Sequence, residues 1–190
     1  MTMHPVPHIG IDFGSRYAGT TAICFESDEE LKADCSQRKD DADTFIRNYV
    51  HELQPLKIYI DAPLTLPGAY YDKTDDFFYR VADRKLKAMS PMFIGGLTAR
   101  AMHLKSQYPG SRFIETYPKQ LAASLQQQQT YRKNADRFVK NLASVLPVRI
   151  ADRPYNWHEI DAILAWYSGW RHQHGRAMEY GDSMEGTIIV

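Results

Sequence analysis

Four acidic residues stand inside or at the ends of apolar runs: Asp12 in IGIDFGS, Asp61 in IYIDAPL, Glu115 in RFIETYP and Asp161 in HEIDAILAW. Any strand or helix that buries one of these segments carries a carboxylate inward with it. That costs on the order of several kcal/mol unless a cation or hydrogen-bond donor compensates. Four such positions spread over the chain favour a fold that gathers them around one shared compensator, and a divalent cation is the natural one. The expectation is an enzyme with a carboxylate-lined site.

The segments between the acids set the fold class. In HIGIDFG, Ile9, Ile11 and Phe13 alternate with Gly10, Asp12 and Gly14, the pattern of a half-buried strand. The two glycines leave room above Asp12 for an ion or a phosphate. Gly14-Ser15-Arg16 reads as a turn, Ala18–Phe25 as a returning strand and Leu31–Cys35 as a third. Phe45, Ile46, Tyr49, Val50 and Leu53 recur at helical spacing within Asp41–Leu53. Lys57–Asp61 and Arg112–Thr116 are short strands, each closed by a nearby proline (Pro63, Pro118) that cannot continue a ladder. Gly95–Tyr108 reads as a helix, as do Lys119–Leu125 and Tyr131–Leu146, with Gln126–Gln129 a polar loop. Trp157–His174 is the clearest helix, with Asn156 as its cap, Glu159 three residues on and Gly175 at its end. The tail reads as a hairpin around Gly181-Asp182. Residues 64–92 are the least regular and read as an insertion or lid.

Strands separated by crossover helices pair in parallel, whereas the opening strands pair antiparallel. The expected fold is α/β, a mixed sheet flanked by helices in a single domain over residues 1–190. A mixed sheet with an aspartate in its first strand, an acid after a later strand and an aspartate on the C-terminal helix resembles the ribonuclease-H-like fold. The words IGIDFGSRYAGTTAI, IDAPLTLP, Arg80-x-x-Asp83, SPMFIGGLTARAMHL, IETYP, DAILAW and YGDSMEG resemble, in that order, an uncharacterised family of predicted ribonuclease-H-like nucleases. The resemblance covers nearly the whole chain. It implies a hydrolase acting on phosphodiester bonds of nucleic acid, with Asp12, Asp61, Glu115 and Asp161 as catalytic metal ligands for Mg2+ or Mn2+. Chemistry is consistent with it, since hard ions take oxygen ligands, and two of them about 4 Å apart can activate water and stabilise a leaving oxygen.

Each acid also has a plain structural reading. Asp12 could hydrogen-bond the Gly14–Arg16 turn, Asp61 could cap a loop, and Asp161 could serve helix-end electrostatics, although Glu159 is better placed for that. Arg80, Arg84, Lys85, Lys87, Arg100 and Lys119 are candidate phosphate contacts, or simply solvated charges. Tyr70, Tyr71, Phe77 and Phe78 either stack bases or pack the lid. His158 is a possible helper near the site, while His172 and His174 read as surface residues. DFGS-x-x-x-GTTA also resembles the first phosphate loop of the actin, hexokinase and sugar-kinase group, so an ATP-dependent phosphotransferase or ATPase is the alternative enzyme. An inactive nucleic-acid-binding or scaffold protein of the same fold is the alternative outside enzymes.

The charge balance, 23 basic against 23 acidic residues, gives no support to tight non-specific binding of long duplexes. No apolar run approaches a membrane span, and the opening MTMHPVPHIG lacks the pattern of a secretory signal. A cytoplasmic monomer or homodimer with two reduced cysteines, Cys24 and Cys35, is expected.

Overall fold

The computed structural model describes residues 6–190, which build one eight-stranded mixed sheet in the order β6-β3-β2-β1-β4-β5-β8-β7. Strands β1 (His8–Asp12), β2 (Ala22–Ser27) and β3 (Glu30–Cys35) form an antiparallel meander. Helix α1 (Ala42–Leu53) crosses over to β4 (Lys57–Asp61), which pairs in parallel with β1. Helix α2 (Val81–Leu86) and helix α3 (Gly95–Gln107) precede β5 (Arg112–Thr116), parallel to β4. The fold class is the one expected, α/β with a mixed sheet flanked by helices. Helices α4 (Pro118–Ser124) and α5 (Ala135–Ala143) lead to the two-residue strand β6 (Arg149–Ile150) at the β3 edge. The long helix α6 (Trp157–Gln173) returns across the sheet, and the hairpin β7 (Glu179–Asp182) and β8 (Gly186–Ile189) closes the far side, β8 lying parallel to β5.

The alternation of β1 splits the core into two layers. Ile9 and Ile11, with Ile58 and Ile60, pack against Ile46 and Val50 of α1 and Ala101 and Leu104 of α3. Ala22, Cys24 and Leu31 face the other layer, with Ala162, Ile163 and Trp166 of α6. Two glycines seat α6 on this side. A Cβ on Gly10 would lie 2.2 Å from the Trp166 nitrogen and 2.4 Å from the Ala162 oxygen, and one on Gly169 would lie 2.4 Å from the Tyr59 ring. Only bare backbone at these points lets helix and sheet approach so closely.

Several boundaries differ from the expected ones, each for a local reason. The stretch expected to be helical from Tyr131 becomes helix only at Ala135, because the Asn134 side chain caps there, accepting from Arg137 N at 3.0 Å. The tail hairpin turns after Asp182 rather than around it. Its carboxylate accepts the N–H groups of Met184 and Glu185, each at 2.9 Å, and so folds residues 183–185 into the turn. Much of 64–92 is anchored: Ala82, Asp83 and Leu86 of α2 are buried, and the buried Glu185 carboxylate accepts from Gly68 N at 2.6 Å and Val81 N at 2.7 Å. Cys24 and Cys35 are free thiols; across β2 and β3 they oppose Ala33 and Ala22, not each other. Among the described residues no helix is long and apolar enough to cross a membrane.

Candidate active site

The last residues of β1 and β4, Asp12 and Asp61, stand opposite each other in register, so both carboxylates project to the same face. That is the face covered by α6, which the gap over Gly10 holds against β1. On that helix Asp161 immediately precedes Ala162, and His158 lies about one turn before it. Asp161 is 1% exposed, and its oxygens accept from the Tyr131 hydroxyl at 2.9 Å and from the Arg132 guanidinium. His158 Nδ1 lies 2.7 Å from Asp12 Oδ2.

The plain structural readings of these acids find no partners here. The turn amides of Gly14 and Ser15 go to the hydroxyls of Thr21 and Thr20, at 3.1 and 3.2 Å, and not to Asp12. Helix α6 is capped by Asn156, which accepts from His158 N and Glu159 N. Glu159 in turn holds Tyr155 N at 2.6 Å, which frees Asp161 from the helix terminus. No protein donor among the described residues reaches the Asp61 carboxylate.

The electrostatics show what the grouping costs. Burial, then the neighbouring Asp12, Asp161 and Glu115, push Asp61 well above the usual carboxylate range. Asp161 is pushed up to about 7, by burial first and by Asp12 second, against the opposing pull of Arg132, Tyr131 and His158. His158 is raised by its bond to Asp12. Negative charge is therefore concentrated beyond what Arg132 and His158 neutralise.

Glu115 occupies the same cleft on different terms. Its Oε1 accepts from Arg80 Nη2 at 2.7 Å, and its Oε2 accepts from Arg80 Nη1 at 2.7 Å and Leu64 N at 3.1 Å. Both oxygens expected to hold a metal are thus taken by protein donors. Arg80, expected on a substrate-binding face, is 1% exposed and also grips Asp83 through two bonds of 3.0 and 2.7 Å. A guanidinium buried between two carboxylates is satisfied only by keeping both. Arg100 is likewise engaged, on Asp43 at 2.8 Å and the Gly14 carbonyl at 2.9 Å, with its guanidinium 4.1 Å from the Phe13 ring centre. Arg84 pairs with Asp76 at the surface, and Lys119 is exposed at the start of α4.

A cleft of about 210 Å3 runs between these groups, lined by Asp12, Asp61, Glu115, Thr116, Met89 and Ile94 among others. As the side chains stand, no three His, Cys, Asp or Glu groups among the described residues are arranged to hold an ion. In kind the cleft fits a hard cation. It offers carboxylate oxygens in excess, the Asp61 carboxylate lacks a donor, and the buried Thr116 hydroxyl has no partner. Arg132 and Tyr131 carry no signature in the sequence, since they lie in a polar stretch where helix was expected.

No family model matches the chain, and no curated protein matches it. Among solved structures it is similar to RuvC of Thermus thermophilus in complex with a Holliday junction substrate. The identity is 14% and the TM-score 0.49, over 94% of this chain and 99% of that one. A second Thermus thermophilus RuvC structure matches at 12% identity and a TM-score of 0.47, over 88% of this chain and 96% of that one. At this distance the likeness says nothing about activity.

Proposed function

We propose that this protein is a metal-dependent nuclease that hydrolyses phosphodiester bonds of nucleic acid. The observation that carries the reading is the grouping of Asp12, Asp61 and Asp161 where β1, β4 and α6 meet, two of the three held above the usual carboxylate range by burial first and by neighbouring carboxylates second. Such a grouping is costly in the bare protein and is relieved by divalent cations. Asp12, Asp61 and Asp161 would hold Mg2+ or Mn2+, and the metal would supply Lewis-acid stabilisation of phosphate charge and a water of lowered pKa. Asp12, at the middle of the sheet, orients His158, which lies within proton-transfer reach of the same site. Glu115 and Arg80 brace the cleft wall through their mutual ion pair. Arg132, paired with Asp161 and half-exposed, would be the cation placed to meet a phosphate.

The alternative phosphotransferase reading needs free loop amides to cradle a nucleotide. Here the Gly14 and Ser15 amides are occupied by threonine hydroxyls, which weighs against it. The inactive-scaffold reading gains from one observation, that Arg132 and His158 already sit on Asp161 and Asp12. Calorimetric titration with Mn2+ separates the two. Saturable binding to wild type that is lost in Asp12→Asn, followed by metal-dependent cleavage of labelled oligonucleotides, supports the nuclease. No binding to wild type, even with an oligonucleotide present, overturns it.

A further inference from the structure

Of the large hydrophobic side chains that stand exposed, six fall within residues 70–93: Tyr70, Tyr71, Phe77, Phe78, Met89 and Phe93, at 41–62% exposure. Five of the six are aromatic, and they are held rather than loose. Asp76 accepts the N–H groups of Phe78 and Tyr79 at 2.9 and 3.0 Å, and Arg84 clamps Asp76 while its guanidinium lies 4.7 Å from the Tyr79 ring centre. The Ser90 hydroxyl binds the Phe78 carbonyl, and Ser90 O accepts from Phe93 N at 3.1 Å. These bonds fix Phe78 and Phe93 side by side, ring centres 5.8 Å apart, with outer faces open to solvent. Holding aromatic faces toward water in a braced turn does nothing for the core, which has other residues to fill it.

Two observations say what covers this shelf. First, it is continuous with the acid cleft: Met89 and Ile94, on either side of Ser90 and Phe93 in the chain, line the cleft with Asp12 and Asp61. Second, the adjoining helix α2 and the turn after it expose Arg84, Lys85 and Lys87 and no carboxylate, because Asp83, the one acid of α2, is buried under Arg80. Flat aromatic faces next to cations, leading into a carboxylate cleft, match a chain that alternates planar bases with phosphates. A duplex hides its base faces in the stack, whereas an unpaired strand presents them. We propose that residues 78–93 form a base-stacking shelf that receives unpaired nucleotides beside the scissile phosphate, with Phe78 and Phe93 as the stacking residues. The substrate class is then nucleic acid with a single-stranded stretch at the cut. This rests on the nuclease reading for its meaning, but not for its test.

The test is binding in EDTA, where no hydrolysis occurs. Labelled oligothymidylate and an abasic phosphodiester strand of equal length are titrated by fluorescence anisotropy against wild type, Phe78→Ala, Phe93→Ala, Phe93→Leu and Phe93→Tyr. Base–aromatic stacking is worth about 1–3 kcal/mol per base on alanine substitution, so each alanine should weaken oligothymidylate about 5- to 150-fold and leave the abasic strand unchanged. Phe93→Leu should behave like alanine and Phe93→Tyr like wild type, because the ring and not the bulk is required. Both sites are exposed, and matched thermal melts of the four variants confirm folding. Equal affinity for the two strands, an undiminished Phe93→Leu, or no oligonucleotide binding overturns the shelf; the last outcome turns attention to a protein partner. Mn2+ calorimetry stands apart from this result. Base preference without metal binding retains the shelf and removes the nuclease, and metal binding without base preference does the reverse.

Discussion

His8 gives the protein an acid sensitivity that can be worked out from the structure. The ring is buried, stacks 4.8 Å from Trp166, and both its nitrogens are committed. Nε2 lies 3.0 Å from the Trp166 carbonyl, which can only accept, so Nε2 carries the proton. Nδ1 lies 2.9 Å from Gln173 Nε2 and accepts from it; turning that amide over would cost its bond to the Gly169 carbonyl. Burial, with Lys57 and His174 nearby, lowers the His8 pKa from 6.5 to about 4. A histidine held neutral in the fold is charged more readily in the unfolded chain. Its contribution is therefore complete above pH 6.5, is lost progressively as pH falls, and levels off below about 4. The full loss is about 3 kcal/mol at 1.36 kcal/mol per pKa unit, and about 2 kcal/mol of it appears between pH 7 and pH 5. For a chain of this size that corresponds to roughly 4–8 °C in Tm. His8→Gln retains a donor for Trp166 and never titrates, so it isolates this residue from every other group that protonates over the same range. Wild type should lose about 4–8 °C more than His8→Gln between pH 7 and pH 5 in thermal melts. Parallel pH curves for the two proteins would refute the assignment.

Three further outcomes follow from the site and its supports. Arg132→Ala removes the cation nearest Asp161 and should tighten Mn2+ several-fold by calorimetry while lowering the metal-free Tm; weaker Mn2+ binding would show that Arg132 does not compete for the carboxylate. Glu115→Gln breaks a buried bidentate pair and should cost about 3–5 kcal/mol in denaturant unfolding with Mn2+ binding retained; a stable variant that loses Mn2+ would make Glu115 a ligand after all. Gly10→Ala puts a methyl group where α6 backbone already lies and should cost about 3 kcal/mol or more, with Asp161 drawn away from Asp12 and Mn2+ binding lost; an unperturbed melt would contradict the packing described.

The sequence was most legible where a residue's role is decided by its neighbours in the chain. Pro63 and Pro118 mark the ends of β4 and β5, Asn156 with Glu159 starts α6, and the glycine alternation of β1 shows which face carries Asp12. The grouping of Asp12, Asp61, Glu115 and Asp161 was an expectation of the resemblance to a known fold, since their spacings along the chain are not local. What could not be read depends on contacts across the fold. Arg80 and Glu115 are 35 positions apart, and nothing local says that the Arg80 guanidinium will be buried between Asp83 and Glu115. Arg132 reaches Asp161 from a stretch whose composition suggests only solvent exposure, over 29 positions. The hairpin turn lies later than expected for a smaller reason: Asp182 folds the residues after it by accepting the amides of Met184 and Glu185, a preference that outweighs the pull of Gly181 toward the centre of the turn.

The close seat of α6 over Gly10 has a consequence for how this chain can vary. Most steric insults in a core can be repaired at a second site by trimming whichever side chain is struck. A methyl group at Gly10 strikes the nitrogen of Trp166 and the carbonyl of Ala162, and every amino acid presents those same atoms. No substitution along the helix relieves the collision, so reversion is the direct route back. In a library of randomised variants, position 10 should be depleted for every residue but glycine, and without a compensating partner elsewhere in the chain.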